Sequence, residues 1–201
     1  VAVLGLYRAR VLAMLRGLMG RDPAGRRLLI RLLVSFVPAA VVGVAAHRVI
    51  KQQLFAVWPV VAALAAGGVL MLVADRWVAR RRPACTLESL TVGHALVIGL
   101  AQCLALWPGT SRAMTTIVAG LLLGLPATAA AEYSFLLALP TLGAAMVFDL
   151  AQGGEALLQE AGPASVACGF VVAAVVAALA IYGFIQYLTR HGLAVFGWYR
   201  I

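Results

Sequence analysis

Three stretches of this chain, residues 32–46, 57–74 and 164–188, carry no charged residue. Runs of that length approach or exceed the roughly 20 apolar residues that cross a hydrocarbon core of about 30 Å. The chain is 64% hydrophobic and 11% charged, against about 25% charged in an ordinary soluble domain, and a soluble core cannot hide so much apolar surface. The runs read as membrane helices, and the expected fold is an all-α, polytopic helical bundle in the membrane.

The net charge of +9 comes from fifteen Arg and one Lys against seven acids. In a soluble protein such an excess suggests nucleic acid. Here the arginines gather in short segments between apolar runs, at Arg8, Arg10, Arg16, Arg21, Arg26, Arg27 and Arg31, and again at Arg76, Arg80, Arg81 and Arg82. That is the pattern of loops kept on the cytoplasmic side, so no nucleic-acid partner is expected. Cys85, Cys103 and Cys168 have neither metal-ligand nor redox spacing, and His47, His94 and His191 are isolated, so no cysteine- or histidine-built metal site is expected. No signal-peptide pattern opens the chain.

Along the chain, residues 1–6 read as the tail of a helix. Residues 7–31 read as a basic link with a turn at Arg21-Asp22-Pro23-Ala24-Gly25. Spans follow at about 28–46, where Pro38 is tolerated within the helix, and at about 54–74; between them lies a polar link, 47–53, with Arg48 and Lys51. After the loop holding Arg80-Arg81-Arg82 come residues 92–125, a span at about 133–150, an acidic link through Gly153, Glu155, Glu160 and Pro163, and the long run 164–188. The chain opens at Val1 and closes at Ile201, just after another apolar run begins. Residues 1–201 thus read as a single integral membrane domain cut at both ends from something longer.

Residues 92–125 differ from the other spans. Two apolar stretches of about 15 and 12 residues flank Pro108-Gly109-Thr110-Ser111-Arg112, and at 1.5 Å per residue they reach only roughly 22 and 18 Å. Each is too short to cross comfortably, which suggests a re-entrant hairpin. With a hairpin here, twelve basic residues fall on one side of the membrane and two on the other, leaving Arg112 and Arg200 unassigned. A single crossing at 92–125 weakens that bias.

Arg112 is the costly residue, at no less than about 2.5 kcal/mol for an arginine placed within the membrane. A structural reason is that it caps carbonyls or pairs with Glu132. Its neighbours favour a functional one. Pro-Gly breaks the first half-helix, and the next begins at Thr110-Ser111-Arg112, so its unpaired N–H groups and positive dipole end face the break. Thr115 stands four residues after Ser111, and Thr116 four after Arg112, a spacing that shares a helix face. Hydroxyls, guanidinium and amides are thus expected to converge on a tetrahedral anion, phosphate above all. Threonine hydroxyls in membrane helices also bond their own backbone, which makes them the weaker part of that reading. Glu132 is either a helix-start residue or a member of the site, and Asp149 falls near the far interface. Gly120 and Gly124 read as a close-packing pair.

The run Ala101-Gln102-Cys103-Leu104-Ala105-Leu106-Trp107-Pro108-Gly109-Thr110-Ser111-Arg112, followed by Thr116, resembles the second signature of the bacterial undecaprenyl-diphosphate phosphatases, also called bacitracin-resistance proteins. Residues 132–145, EYSFLLALPTLGAA, resemble the block that follows it. The resemblance implies two inverted repeats whose re-entrant hairpins meet inside the membrane, of which this chain matches the second. The first hairpin's Glu-rich motif, with its Ser-Ser pair and His, is not found here, so the chain alone is expected to be inactive. By the resemblance, Arg112 binds the diphosphate, Ser111 and Thr116 are hydrogen-bonding members of the catalytic cradle, and Gly109 lets the backbone approach the phosphates. Thr110, Thr115 and Glu132 are assigned to substrate binding. The family's Ser after the Arg is Ala113 here, to be compensated by Thr110 or Thr115. A divalent cation, Mg2+ or Ca2+, is implied, with its acidic ligands outside this chain.

The function so implied is hydrolysis of undecaprenyl diphosphate to undecaprenyl phosphate and phosphate in the bacterial inner membrane, recycling the lipid carrier of cell-wall synthesis and conferring bacitracin resistance. A homodimer is compatible with it. The alternative is a transporter or flippase for a phosphorylated lipid or anion, since broken helices in inverted repeats are also transporter architecture.

Overall fold

The computed structural model describes residues 2–46, 54, 56–78 and 83–201, with the backbone alone over 151–161. Among the described residues the fold is all-α: α1 (Ala2–Leu6), α2 (Arg8–Leu18), α3 (Pro23–Ala45), α4 (Val57–Val78), α5 (Val92–Cys103), a 3-10 turn (Leu104–Leu106), α6 (Arg112–Leu122), α7 (Ala127–Ala161), α8 (Pro163–His191) and α9 (Ala194–Arg200). Among the described residues, four segments are long and apolar enough to cross a membrane: Pro23–Ala45, Val57–Val78, Ala127–Leu150 and Pro163–His191. Three of these cover the charge-free runs, short only of Ala46, and Ala127–Leu150 covers the span expected at about 133–150. The link 47–53 and the Arg80-Arg81-Arg82 cluster lie outside the described residues.

The surface confirms the solvent. None of the most apolar 18-residue window of α8 is buried inside the protein, and Trp58, Val44 and Leu179 point outward. An outer face built this way is stable only against lipid.

Two segments read as links are helical. The basic stretch 7–31 forms α2 and the start of α3. Its turn is shorter than expected because Asp22 accepts hydrogen bonds from the amides of Ala24 and Gly25 at 3.0 and 2.9 Å, and Pro23 takes the first helical position, where its missing N–H costs nothing. Gly17 and Gly25 then let α2 and α3 touch backbone to backbone. The acidic stretch likewise continues α7 as far as Ala161, and the break falls at Gly162, with φ +74°, followed by Pro163. Two glycines within a helix cost about 1 kcal/mol each, too little to end it among Ala, Leu, Glu and Gln.

The short helices α5 and α6 pack against each other as a hairpin, joined by the 3-10 turn and residues 107–111. Both the Ala84 and Cys85 amides donate to the Gly124 carbonyl, at 2.9 and 3.1 Å, so the end of α6 returns to the segment that leads into α5. Gly124, with φ +93°, stops α6, while Gly120 packs on Ala130 of α7. The expected glycine pair is therefore split between a helix stop and a packing contact. The 12 residues of α5 and 11 of α6 reach about 18 and 16 Å, short of a hydrocarbon core.

α6 lies at the centre of the bundle. From Met114 to Leu121 every residue of α6 is buried, packed among α4, α5 and α7. Small residues permit the close approach on which packing in lipid depends, as where Gly99 of α5 lies on the backbone of Ser35. The hydroxyls of Ser35 and Tyr133, 2.7 Å apart and buried, tie α3 to α7.

Candidate functional site

The hairpin tip is a type II turn. The Thr110 amide donates to the Trp107 carbonyl at 3.0 Å, with Pro108 at the second position and Gly109, at φ +92°, at the third. Glycine is required there twice over. The dihedral strains any L side chain, and a Cβ would stand 2.6 Å from the Val60 carbonyl of α4. Trp107 fastens the turn to α4 as well, its Nε1 donating to the Pro59 carbonyl at 3.2 Å.

Beyond the turn, Ser111 caps α6 by accepting from the Met114 amide at 3.3 Å. Helix geometry leaves the amides of Arg112 and Ala113 without intrahelical partners. Gly109, Thr110, Ser111, Arg112 and Ala113 are all partly exposed, at the positive end of a helix that is buried from Met114 to Leu121. Six of the expected site residues, Gly109, Thr110, Ser111, Arg112, Thr115 and Thr116, thus fall on one turn and the first turns of α6.

Arg112 Nη1 donates to the Ser134 carbonyl of α7 at 2.9 Å, and among the described residues no carboxylate pairs with it. The carbonyl-capping reason for an arginine here is therefore present in part, and the pairing with Glu132 is not. Glu132 accepts instead from Arg10 Nε of α2 at 2.8 Å, and Arg10 also reaches Glu88 at 3.1 Å. The reason is register. α6 and α7 run antiparallel with Thr116 against Ser134 and Gly120 against Ala130, which sets Glu132 level with residue 118, about 9 Å along the axis from Arg112. At the hairpin base, burial and then the Glu132 charge push the Tyr7 phenol up to about 12.

The two threonines face inward. Thr115 and Thr116 each donate a hydroxyl proton to the Arg112 carbonyl at 2.9 Å, and Thr116 Oγ1 also lies 2.7 Å from Ser134 Oγ. Both side chains are buried. They brace the first turn of α6, the backbone-bonding role open to hydroxyls in membrane helices, while Thr110, Ser111 and Arg112 remain partly exposed.

One further polar residue touches the turn, and another lies buried on the helix that precedes it. Arg200 of α9 donates from Nη2 to the Gly109 carbonyl. Buried Gln102 of α5 donates to Thr141 Oγ1 at 3.2 Å and keeps its own carbonyl oxygen unpartnered. The signal for Arg200 is the one that marks Arg112: a lone arginine closing an apolar run.

Residues 1–201 match the family model described as bacitracin resistance protein BacA. The chain belongs to the BacA family. Among BacA relatives, an undecaprenyl-diphosphatase of Sorangium cellulosum (strain So ce56) is 51% identical over 205 residues, covering 100% of this chain and 66% of that protein. An undecaprenyl-diphosphatase 2 of Rhodospirillum rubrum is 44% identical over 203 residues, with 100% and 72% covered, and an undecaprenyl-diphosphatase of Rhizorhabdus wittichii is 43% identical over 202 residues, with 100% and 75% covered. The chain thus spans about two thirds to three quarters of the length of these BacA relatives, and the hairpin turn lies within that span.

Proposed function

We propose that the protein is an undecaprenyl-diphosphatase of the bacterial inner membrane, hydrolysing undecaprenyl diphosphate to undecaprenyl phosphate and inorganic phosphate. The names of its relatives and its membrane-spanning helices support that reading. The observation that carries it at the atomic level is the Arg112 guanidinium, set at the start of α6 with one N–H on a carbonyl and no carboxylate partner among the described residues. A cation kept in the membrane without a counter-charge finds its compensation in an anionic guest.

The chemistry asked of these residues is positioning and charge stabilisation. The free N–H groups of Arg112 and the first amides of α6 bind the oxygens of the departing phosphoryl group and steady the charge that spreads over them in a loose transition state. Thr115 and Thr116 hold the Arg112 carbonyl, and Gly109 keeps the backbone turned toward the head group. The prenyl tail lies along the apolar outer faces of the helices.

The turn does not fit a divalent cation. It offers guanidinium groups, hydroxyls and amides, and among the described residues no three His, Cys, Asp or Glu side chains gather in one place. We therefore place any Mg2+ or Ca2+ that serves the reaction on ligands elsewhere in the protein, and no step described here passes through it.

The test is phosphate release from undecaprenyl diphosphate by the full-length protein in detergent. Arg112→Ala is expected to lower kcat/KM at least about a hundredfold, the scale of losing a charge-stabilising donor, and Arg112→Lys to recover part of it. Unchanged release in Arg112→Ala would remove the anion site from the reaction.

A further inference from the structure

Arg200 brings a second guanidinium to the hairpin turn from the far end of the chain. Its Nη2 donates to the Gly109 carbonyl. The side chain lies across α4 at Gly67, where an added Cβ would stand 3.1 Å from Nη2 and 3.4 Å from Nε, so the missing side chain at Gly67 makes its path. Its Nε is buried and has no hydrogen-bond partner, and among the described residues no carboxylate pairs with the guanidinium. A buried donor left unpaired is costly, and a charge without a partner more so. The contact with Gly109 is what the arrangement offers in return.

The helix that carries Arg200 is held at both ends. Asp75 of α4 accepts from the Leu193 amide at 2.6 Å, capping the start of α9. Further along, a Cβ at Gly68 would stand 2.8 Å from the Gly197 carbonyl, so α9 and α4 touch through glycine backbones. The guanidinium is thereby delivered to a fixed place, and it grips the peptide that joins the left-handed Gly109 to Thr110. Three residues later stands Arg112.

We propose that Arg200 is a positioning residue of the anion site: its hydrogen bond to the Gly109 carbonyl holds the turn in the conformation that aims Arg112 and the first amides of α6 at the phosphate. The functional half of this proposal rests on the phosphatase reading above. Arg200 is assigned its effect through the turn because the hydrogen bond its guanidinium makes is to the Gly109 carbonyl.

The test combines two readouts on the full-length protein in detergent: hydrogen exchange of the segment 107–112, which includes the bonded Thr110 amide, and steady-state phosphate release. Arg200→Ala is expected to speed exchange in that segment about tenfold and lower kcat about tenfold, with KM within about threefold, as for loss of transition-state positioning. Arg200→Gln keeps an N–H donor without the charge, and Arg200→Lys keeps both. Positioning requires that both recover part of the protection and of kcat, and Arg200→Gln also serves if the alanine variant does not fold. Unchanged exchange in Arg200→Ala would overturn the proposal whatever the activity. Faster exchange with full activity would overturn it too, as would recovery by Lys with none by Gln. If the wild type released no phosphate while Arg200→Ala still loosened the turn, the phosphatase reading would fail and the hold on Gly109 would stand.

Discussion

The hydroxyls of Thr116 and Ser134 lie 2.7 Å apart, both buried, where α6 packs on α7 one helical turn from Arg112. The Ser134 carbonyl receives the Arg112 guanidinium and, within α6, the Arg112 carbonyl receives the Thr116 proton, so Ser134 ties α7 to both residues. Thr116→Val strips the Ser134 hydroxyl of that partner at a cost of about 1–2 kcal/mol. The expected result is a lower thermal unfolding midpoint of the full-length protein in detergent and a severalfold fall in kcat. Thr116→Ser should keep both, and Ser134→Ala should combine with Thr116→Val less than additively. A Thr116→Val protein with an unchanged midpoint would contradict this.

Gly109→Ala meets two obstacles, a φ of +92° and a Val60 carbonyl 2.6 Å from the new Cβ. The strain is expected to cost about 1–3 kcal/mol and to open the turn, lowering phosphate release more than tenfold (about 1.4 kcal/mol). Gly120→Ala, which meets only Ala130 and Leu125 side chains at 3.1 and 3.3 Å, should lower thermal stability with far less effect on kcat. Equal losses of kcat in the two variants would argue that the turn has no special place in catalysis.

Arg10 bridges Glu88 and Glu132 at the hairpin base, a contact between α2, the loop before α5 and α7. Glu88 has its carboxyl held below the ordinary value by a backbone hydrogen bond and by Arg10. A lowered carboxyl contributes stability above its unfolded value, near 4.5, and loses it as pH falls through the lower folded value. Thermal midpoints taken from pH 7 down to pH 3 should therefore fall less in Glu88→Gln than in the wild type. The difference should shrink in high salt, since the Glu88 side chain is largely exposed. Glu132→Gln should lower stability and leave kcat within about threefold, because Glu132 faces Arg10 and not Arg112; loss of activity comparable to Arg112→Ala would return Glu132 to the phosphate site.

The membrane spans were legible in the sequence because lipid imposes a length that charge-free runs such as 164–188 declare openly. The break was legible too, since Pro108-Gly109 ends a half-helix and the next opens at Thr110-Ser111-Arg112. What the residues could not disclose was pairing. Whether Glu132 meets Arg112 or Arg10 depends on how α6 and α7 align and on where α2 crosses them. The contact of Arg200 with Gly109 spans 91 positions of the chain, and no local pattern carries such a distance. The helical nature of α2 was obscured by its charge, although Ala, Leu, Met and Arg are good helix formers and Met14 and Gly17 share a buried face.

The central claim is that the Arg112 guanidinium meets the phosphate of the lipid. The most direct measurement is a solid-state nitrogen–phosphorus dipolar coupling between arginine guanidinium nitrogens and a non-hydrolysable undecaprenyl diphosphate analogue bound to the full-length protein, with Arg112→Lys as the control that assigns the signal. A charge-assisted hydrogen bond requires a nitrogen–phosphorus distance of about 4 Å, so a strong coupling that disappears in Arg112→Lys is expected. A coupling that persists unchanged in Arg112→Lys, or none in the wild type with the analogue bound, would contradict the claim.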